Sequence, residues 1–205
     1  MSELIPHLAS IVLAGGESRR MGRPKCWLPA GQETFLQRIV RTVSAVAPEV
    51  IVVAAADQEL PPLPRTVAVI RDLQPAGGPL VGLLSGSRQL QSDPAYVFVS
   101  GCDTPFLRRE FIARVVAGCE GYEAAVPVSA RRRHPLAACY SAGSLRLLED
   151  LIIAQEQRLQ AWLNRLKVQE LHACDFSTVD PELESLINLN TPEDWASWKD
   201  RLTDA

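Results

Sequence analysis

Short apolar runs alternate along this chain with amphipathic stretches, and this alternation constrains the fold more than any other feature. Residues 8–13 read as a buried strand, and residues 33–46 follow as a helix with its apolar side chains on one face. The further predicted strands are 50–55, 67–70, 96–99, 124–128 and 136–140, and the further predicted helices are 80–90, 108–117, 144–154, 160–166 and 192–202. This order predicts an α/β fold in which a mostly parallel sheet is covered by helices on both faces.

Composition sets the broad class. The 205 residues are 47% apolar and 22% charged, which is typical of one globular domain, expected to span 1–205, with a substantial core. The net charge of −3 argues against a nucleic-acid binder, because such proteins usually present a basic surface. No run of apolar residues approaches a membrane span, and none resembles a secretory signal, so we expect no membrane partner.

The five cysteines favour a reducing compartment. They are odd in number, scattered, and never spaced as a C-x-x-C pair. This pattern fits free thiols better than a disulfide framework or a zinc site, and we expect a cytoplasmic location. Cys102 is expected to be a small buried residue rather than a reactive thiol.

A glycine-rich, basic segment follows the first predicted strand. Gly15 and Gly16 allow close approach of a ligand, and Arg20 and Lys25 add fixed positive charge beside them. Bared backbone N–H groups with neighbouring cations can hold phosphate oxygens. The segment matches neither G-x-x-x-x-G-K-[ST] nor G-x-G-x-x-G. It therefore predicts a phosphate-binding loop of another type, against the alternative of a simple glycine turn.

A single carboxylate, Asp103, follows the strand predicted at 96–99. The carboxyl ends of parallel strands are where such sheets bind ligands, so Asp103 and the glycine-rich loop are expected to meet. Mg²⁺ typically takes one or two carboxylates together with substrate phosphates, and Asp103 could supply one. The alternative is that Asp-Thr-Pro only forms a turn.

Three further segments carry candidate residues. Asp72 leaves another predicted strand, and Gly77 and Gly78 after it allow a backbone to lie against a flat ligand. Gly82 interrupts a predicted helix at a cost of about 1 kcal/mol, which indicates close packing or close ligand approach. The side-chain amides of Asn188 and Asn190 could face a ligand or a metal, or could only satisfy backbone groups at the end of a strand.

The remaining polar and aromatic candidates have plainer interpretations. The basic run 131–134 falls in a predicted hairpin and reads as a solvated face, with contact to an anionic second substrate as the alternative. Arg158 and Trp162 read from the residues alone as a surface and a core side chain. No Ser/His/Asp triad is evident. A phosphate monoester nucleophile would not need one, because its second pKa of about 6 leaves it largely ionised.

These residues together resemble the molybdenum cofactor guanylyltransferases, within the wider nucleotidyltransferase family. The matching motifs span nearly the whole chain in the family's order. They are Leu-Ala-Gly-Gly at 13–16, Arg-Met-Gly at 20–22, Lys25, Asp72, Gly-Pro-Leu-Val-Gly at 78–82, Cys-Asp-Thr-Pro at 102–105, His-Pro at 134–135 and Asn-Leu-Asn-Thr-Pro-Glu at 188–193. Each motif alone is modest, whereas the ordered set is specific.

The resemblance implies a Rossmann-like three-layer sandwich of the nucleotide-diphospho-sugar transferase type. It implies Mg²⁺-dependent transfer of GMP from GTP to molybdopterin cofactor, with Mn²⁺ as a substitute metal. Residues of about 8–105 would form a nucleotide-binding half, and residues of about 106–205 an acceptor-binding half. Protein partners would be cofactor-delivery proteins or apo-molybdoenzymes in transient contact.

The resemblance also assigns individual roles. Its nucleotide-binding residues would be Leu13, Ala14, Gly15, Gly16, Lys25, Asp72, Gly78 and Asp103. Lys25, Asp103 and Arg20 would be catalytic, and Asp103 would hold the metal. The acceptor-binding residues would be Gly82, Arg158, Asn188 and Asn190. Related cytidylyltransferases usually have alanine at the position of Gly15, so Gly15 would leave room for a purine.

Other functions stay open at this point. The chain could transfer a cytidylyl group to molybdopterin, or a nucleotide to another phosphorylated acceptor. It could also be a non-catalytic relative that only binds nucleotide, although the presence of both Lys25 and Asp103 argues against this.

Overall fold

The computed structural model describes residues 4–15, 24–72 and 77–204 of the chain. Its strands are β1 (Leu8–Leu13), β2 (Pro29–Ala30), β3 (Glu33–Thr34), β4 (Glu49–Ala55), β5 (Ala68–Asp72), β6 (Tyr96–Gly101), β7 (Ala124–Ser129), β8 (Arg132–Arg133), β9 (Ala137–Ser141) and β10 (Val168–Leu171). Its α-helices are α1 (Phe35–Ser44), α2 (Gly78–Ser87), α3 (Arg109–Ala117), α4 (Leu147–Ile153), α5 (Leu159–Leu163) and α6 (Pro192–Asp204).

The central sheet has the strand order β10-β7-β9-β6-β1-β4-β5, and β8 pairs with β7 at its end. The pairs β6–β1, β1–β4, β4–β5 and β10–β7 are parallel. Only β9 runs against its neighbours β6 and β7 along this path. The predicted mostly parallel sheet is therefore confirmed. Because β9 is reversed, the segment that leads into it lies at the same sheet edge as the loops leaving β1 and β6.

Helices cover both faces of the sheet, as predicted. Side chains of β1 alternate between two cores: Leu8 and Val12 pack with α1 and α3, whereas Ile11 and Leu13 pack with α2, α4 and α5. Period-two alternation along a strand buried on both faces explains why β1 is apolar at nearly every position. A third, smaller cluster joins α6 to β2 and to Phe106.

Several predicted boundaries were wrong, each for a local reason. The helix expected at 33–46 begins at Phe35, because Thr34 accepts from the N–H of Gln37 while the Gln37 side chain accepts from the N–H of Thr34. The expected helix 144–154 is a 3-10 turn over Ala142–Arg146 followed by α4, and the expected helix 160–166 is the shorter α5. Strands β8 and β10 were not predicted, since both are short and mainly polar.

Other expectations agree with the structure. All five cysteines are free thiols, and Cys102 is buried, which raises the pKa of its thiol to about 12. Trp162 is a core residue whose ring stacks on Tyr140 at 4.2 Å between centroids. Within the described ranges no helix is long and apolar enough to cross a membrane.

Candidate active site

Lys25 and Asp103 meet at the carboxyl edge of the sheet. The Lys25 ammonium donates to Oδ2 of Asp103 at 3.2 Å and to Oδ1 of Asn190 at 2.5 Å. The two charged side chains retain 17% and 22% of their exposure, so they face a shallow, partly desolvated surface. A lysine held at both oxygens presents a fixed positive charge, which is the arrangement that stabilises developing negative charge on a phosphate.

The end of β6 brings Asp103 back toward the sheet. Oδ1 of Asp103 lies only 2.7 Å from the position that a Cβ on Gly101 would occupy. Any larger residue at 101 would therefore displace this carboxylate. The sequence signal for this requirement is Gly101 itself, two positions before the acid, which was not among the predicted site residues.

The segment before α6 completes the cluster. Leu189 is buried and donates its N–H to the carbonyl of Asp103 at 2.9 Å, which turns the flanking Asn188 and Asn190 toward the site. The Asn188 amide lies 3.5 Å from Oδ2 of Asp103. These asparagines lie in a loop, so the alternative that they finish a strand is wrong.

The N-terminus of α6 fixes the Asn190 backbone. The carboxylate of Asp194 accepts the N–H groups of Asn190 and Thr191, both at 2.9 Å, and Thr191 accepts from the N–H of Asp194. A capping box is thus present, and these hydrogen bonds, chiefly that from Asn190, hold the pKa of Asp194 below its usual range.

The exit from β1 lies beside β4. The N–H groups of Ala14 and Gly15 both donate to the carbonyl of Val53, at 2.8 and 3.3 Å. The Gly15 N–H is therefore engaged within the fold, and what Gly15 offers a ligand is an exposed surface without a side chain. The predicted site residues Gly16 and Arg20 lie outside the described residues.

Asp72 reaches the same edge from β5, where it pairs in register with Ala55 at the end of β4. Gly78 begins α2 with a φ of +71°, a conformation that favours glycine. Gly82 lies inside α2, and a Cβ there would be 3.2 Å from the Leu13 side chain and 3.9 Å from Oδ2 of Asp72. Helix–strand packing alone therefore accounts for glycine at 82.

Arg158 lies at the start of α5 and near the beginning of α2. Its neighbour Gln157 lies close to Gly78, 3.7 Å from the position of a Cβ there. The Arg158 guanidinium is 80% exposed and makes a two-point ion pair with Glu156, at 2.9 and 2.8 Å. The hydrogen bonds from Arg158 lower the pKa of Glu156 to about 2.

The basic hairpin at 129–134 lies at the same edge of the sheet, because β9 begins there beside the end of β6. Ala130 and Arg131 both have positive φ, of 47° and 62°, so this tight turn is formed without glycine. Oγ of Ser129 lies 2.7 Å from Nε2 of His134, and burial, with a smaller contribution from Arg132, lowers the pKa of His134.

The donor set fits a metal ion that arrives with a nucleotide. Asp103 offers carboxylate oxygens, and Asn188 and Asn190 place amide groups beside it. Among the described residues no three His, Cys, Asp or Glu side chains gather as a possible metal site. One carboxylate with phosphate and water oxygens is a usual environment for Mg²⁺, whereas a metal held by protein ligands alone needs more.

Comparisons with known proteins show the family to which the chain belongs. The MobA-like NTP transferase domain matches residues 10–171. A molybdenum cofactor guanylyltransferase of Desulfosudis oleivorans is 32% identical over 91% of this chain and 92% of its own length. The crystal structure of molybdopterin-guanine dinucleotide biosynthesis protein A from Archaeoglobus fulgidus shares the fold, with a TM-score of 0.79 and 22% identity over 96% of this chain and all of that one.

A cytidylyltransferase also shares the fold. The 2-C-methyl-D-erythritol 4-phosphate cytidylyltransferase of Thermus thermophilus has a TM-score of 0.69 and 17% identity over 94% of this chain and 98% of its own. The fold and its matches define the chain as an α/β nucleotidyltransferase. Within that class it belongs to the MobA-like NTP transferase domain family, together with the molybdenum cofactor guanylyltransferases.

Proposed function

We propose that this enzyme transfers GMP from GTP to the terminal phosphate of molybdopterin cofactor and releases pyrophosphate. The observation that carries the proposal is the Lys25–Asp103 pair, fixed by Asn190 at the carboxyl edge of the sheet. The names of its relatives, at about 30% identity over nine-tenths of the chain, supply the acceptor and the base.

The reaction needs positioning and charge neutralisation more than proton transfer. An oxygen of the acceptor phosphate bonds to the α-phosphorus of GTP, and the bond from that phosphorus to the β-phosphate oxygen breaks. The acceptor phosphate is mostly a dianion at neutral pH, since its second pKa is about 6. Both reactants are therefore anionic, and fixed cations lower the barrier by reducing their repulsion.

In this proposal Lys25 contacts the phosphates, and Asp103 with the asparagine amides would hold Mg²⁺ or Mn²⁺. The metal, when bound, would neutralise phosphate charge as a Lewis acid. Since Lys25 now donates to Asp103 and Asn190, those oxygens are also held in place before the nucleotide arrives. Gly16 and Arg20 would also contact the phosphates.

Leu13, Ala14, Gly15, Asp72 and Gly78 would form the nucleotide side. Of these, Gly15 is the proposed selector of guanine. A Cβ at 15 would meet the backbone nitrogen of Ala55 at 3.5 Å, an ordinary contact, so the fold itself accepts alanine there. Glycine at 15 is thus better explained by ligand access than by packing.

The chain after about residue 106 would bind the acceptor. Arg158, Asn188 and Asn190 are the proposed contacts on this side, and Gly82, from the first half of the chain, would affect acceptor binding only indirectly. Gly82 acts in this scheme through the close packing of α2 on β1, since it is buried there. The expected location is the cytoplasm, and the expected protein partners are cofactor-delivery proteins or apo-molybdoenzymes.

Pyrophosphate release with molybdopterin, measured for the four nucleoside triphosphates in Mg²⁺, tests the proposal. We expect GTP to be preferred in the wild type. Gly15→Ala should keep wild-type stability and reduce the preference for GTP over CTP about tenfold or more, the usual discrimination from one methyl group in a tight pocket. A wild type that prefers CTP would contradict the guanylyl assignment. Turnover only with other phosphorylated acceptors would contradict the assignment of molybdopterin as the acceptor.

A further inference from the structure

The side chain of Gln58, just after β4, lies among three segments of the site. Its Nε2 donates to the carbonyl of Ala14 at 2.8 Å and toward Sγ of Cys26 at 3.4 Å. Its Oε1 accepts from the N–H of Ala55 at 3.1 Å. Both ends of this one amide are therefore engaged, and each partner belongs to a different part of the chain.

Two of these three partners adjoin a residue of the proposed site. Ala14 precedes Gly15, and Cys26 follows Lys25. The carbonyl of Ala14 also accepts from Sγ of Cys102 at 3.8 Å, and Cys102 precedes Asp103. Through Ala14 and Cys26, the Gln58 amide therefore connects the backbone next to the glycine, the lysine and the aspartate.

The loop that carries Gln58 is itself held in place by backbone contacts. Its backbone N–H donates to the carbonyl of Ala55 at 3.2 Å. The Arg71 guanidinium, one residue before Asp72, donates to the carbonyls of both Ala55 and Gln58. The Gln58 loop thus moves only if its bonds to β4 and β5 break, which is what a rigid support for a binding surface requires.

Gln58 also borders the surface at Gly15. Its Oε1 lies 4.0 Å from the position of a Cβ on Gly15, on the same side as Ala55. The amide is neutral, so it can orient this surface without adding charge next to a triphosphate. Its hydrogen bonds go to Ala14, Cys26 and Ala55, so its effect on the reacting groups would be indirect.

We propose that Gln58 is a positioning residue for the nucleotide, which holds the exit of β1 against the Lys25 turn and fixes the wall beside Gly15. The proposal rests on the proposed function, since it assigns the nucleoside to that wall. The competing explanation is that Gln58 only stabilises the fold. If Gln58 only stabilised the fold, its replacement would lower the unfolding temperature. Nucleotide affinity and acceptor KM would then stay unchanged in the folded variant.

The test uses Gln58→Met, which keeps the length of the side chain and removes its hydrogen bonds. Calorimetric titration with each nucleoside triphosphate in Mg²⁺ should show the dissociation constant of the preferred nucleotide rising about tenfold, because the nucleotide would then have to order the wall that Gln58 otherwise holds in place. The acceptor KM should stay within about twofold. Gln89→Met is the matched control, since Gln89 is exposed beyond the opposite end of α2, and it should bind like the wild type.

Hydrogen exchange of the wild type provides a second measurement that does not depend on the variant folding. The Ala55 N–H donates a hydrogen bond to Oε1 of Gln58. Saturating nucleotide should slow hydrogen exchange of this N–H and leave exchange of the amides at 89–91 unchanged. If Gln58→Met folds and binds nucleotide with wild-type affinity, the positioning role is wrong. If the variant does not fold, a lack of added protection at the Ala55 N–H of the wild type would contradict the role instead. If the wild type prefers another nucleotide, the guanylyl assignment fails while Gln58 is judged with that nucleotide.

Discussion

The two sides of the proposed site differ in how their charged groups are held. Lys25 and Asp103 are mostly shielded from solvent and bonded across the fold, with Asn190 and Leu189 brought in from the far end of the chain. Arg158, on the proposed acceptor side, is exposed and bonded to Glu156 two residues away. The first arrangement is present without a ligand, whereas in the proposed function the second would exchange a local partner for the acceptor. Such a division places preorganisation where charge changes during the reaction.

The largest effect is expected from removing the carboxylate of Asp103, which belongs to the shielded pair. Asp103→Asn keeps the size of the side chain and an oxygen for Lys25, so the fold should persist. Turnover should fall about 10³-fold, the upper range for losing one preorganised electrostatic group. Pyrophosphate release and thermal unfolding measure the two effects, and Asp93→Asn, in the exposed loop before β6, is the control.

Retention of turnover within tenfold in Asp103→Asn would show that Asp103 does not hold the metal. Equal, very slow pyrophosphate release by the wild type and this variant with every acceptor would favour a non-catalytic nucleotide-binding protein instead.

A smaller effect should appear at the exposed end. Arg158→Ala removes a cation that can donate to an acceptor anion, so the acceptor KM should rise about tenfold, as expected for a charged hydrogen bond, with little change in kcat. Glu156→Gln should lower the same KM, because it frees the guanidinium from its carboxylate. Steady-state kinetics at varied acceptor concentration measure the change in KM for both variants.

The control for this pair is Arg88→Ala. Arg88 makes a comparable exposed ion pair with Glu149 at 2.8 Å, beyond the C-terminal end of α2. Its loss should leave both kinetic constants unchanged. If Arg158→Ala behaves in the same way, Arg158 is a surface residue and the acceptor-binding assignment is wrong.

The smallest effect concerns the basic hairpin. Because burial lowers the pKa of His134 below its ordinary value of 6.5, the unfolded chain binds this proton more readily than the folded one. Stability from this group is therefore complete above pH 6.5 and decreases as the pH falls below it. Denaturant unfolding at pH 7.5 and 5.5 should show a smaller loss for His134→Gln than for the wild type.

His172→Gln, which replaces an exposed imidazole on the adjoining segment, is the matched control for that measurement. It should retain the wild-type difference between the two pH values. An identical loss in His134→Gln and the wild type would mean that burial of His134 does not shift the proton equilibrium of folding.

The parallel half of the sheet was predictable from sequence, and the site only in part. Strands β1, β4 and β6 are recognisable in the sequence as apolar runs, because both of their faces are buried. Asp103 and Lys25 could be paired in advance because strand-end residues of parallel neighbours share one edge. Gln58 could not, because its role depends on the register of β4 with β1 and on a loop conformation that no local pattern encodes.

The bonds of Lys25 also set an order of events during synthesis of the chain. Its partner Asp103 lies 78 residues further along, and its partner Asn190 lies 165 residues further along. A growing polypeptide therefore contains Lys25 and Asp103 long before the asparagine amides that contact them exist. Transfer chemistry would begin only once the last helix docks, so a truncated or partly translated product would be able to fold its first strands yet remain inert.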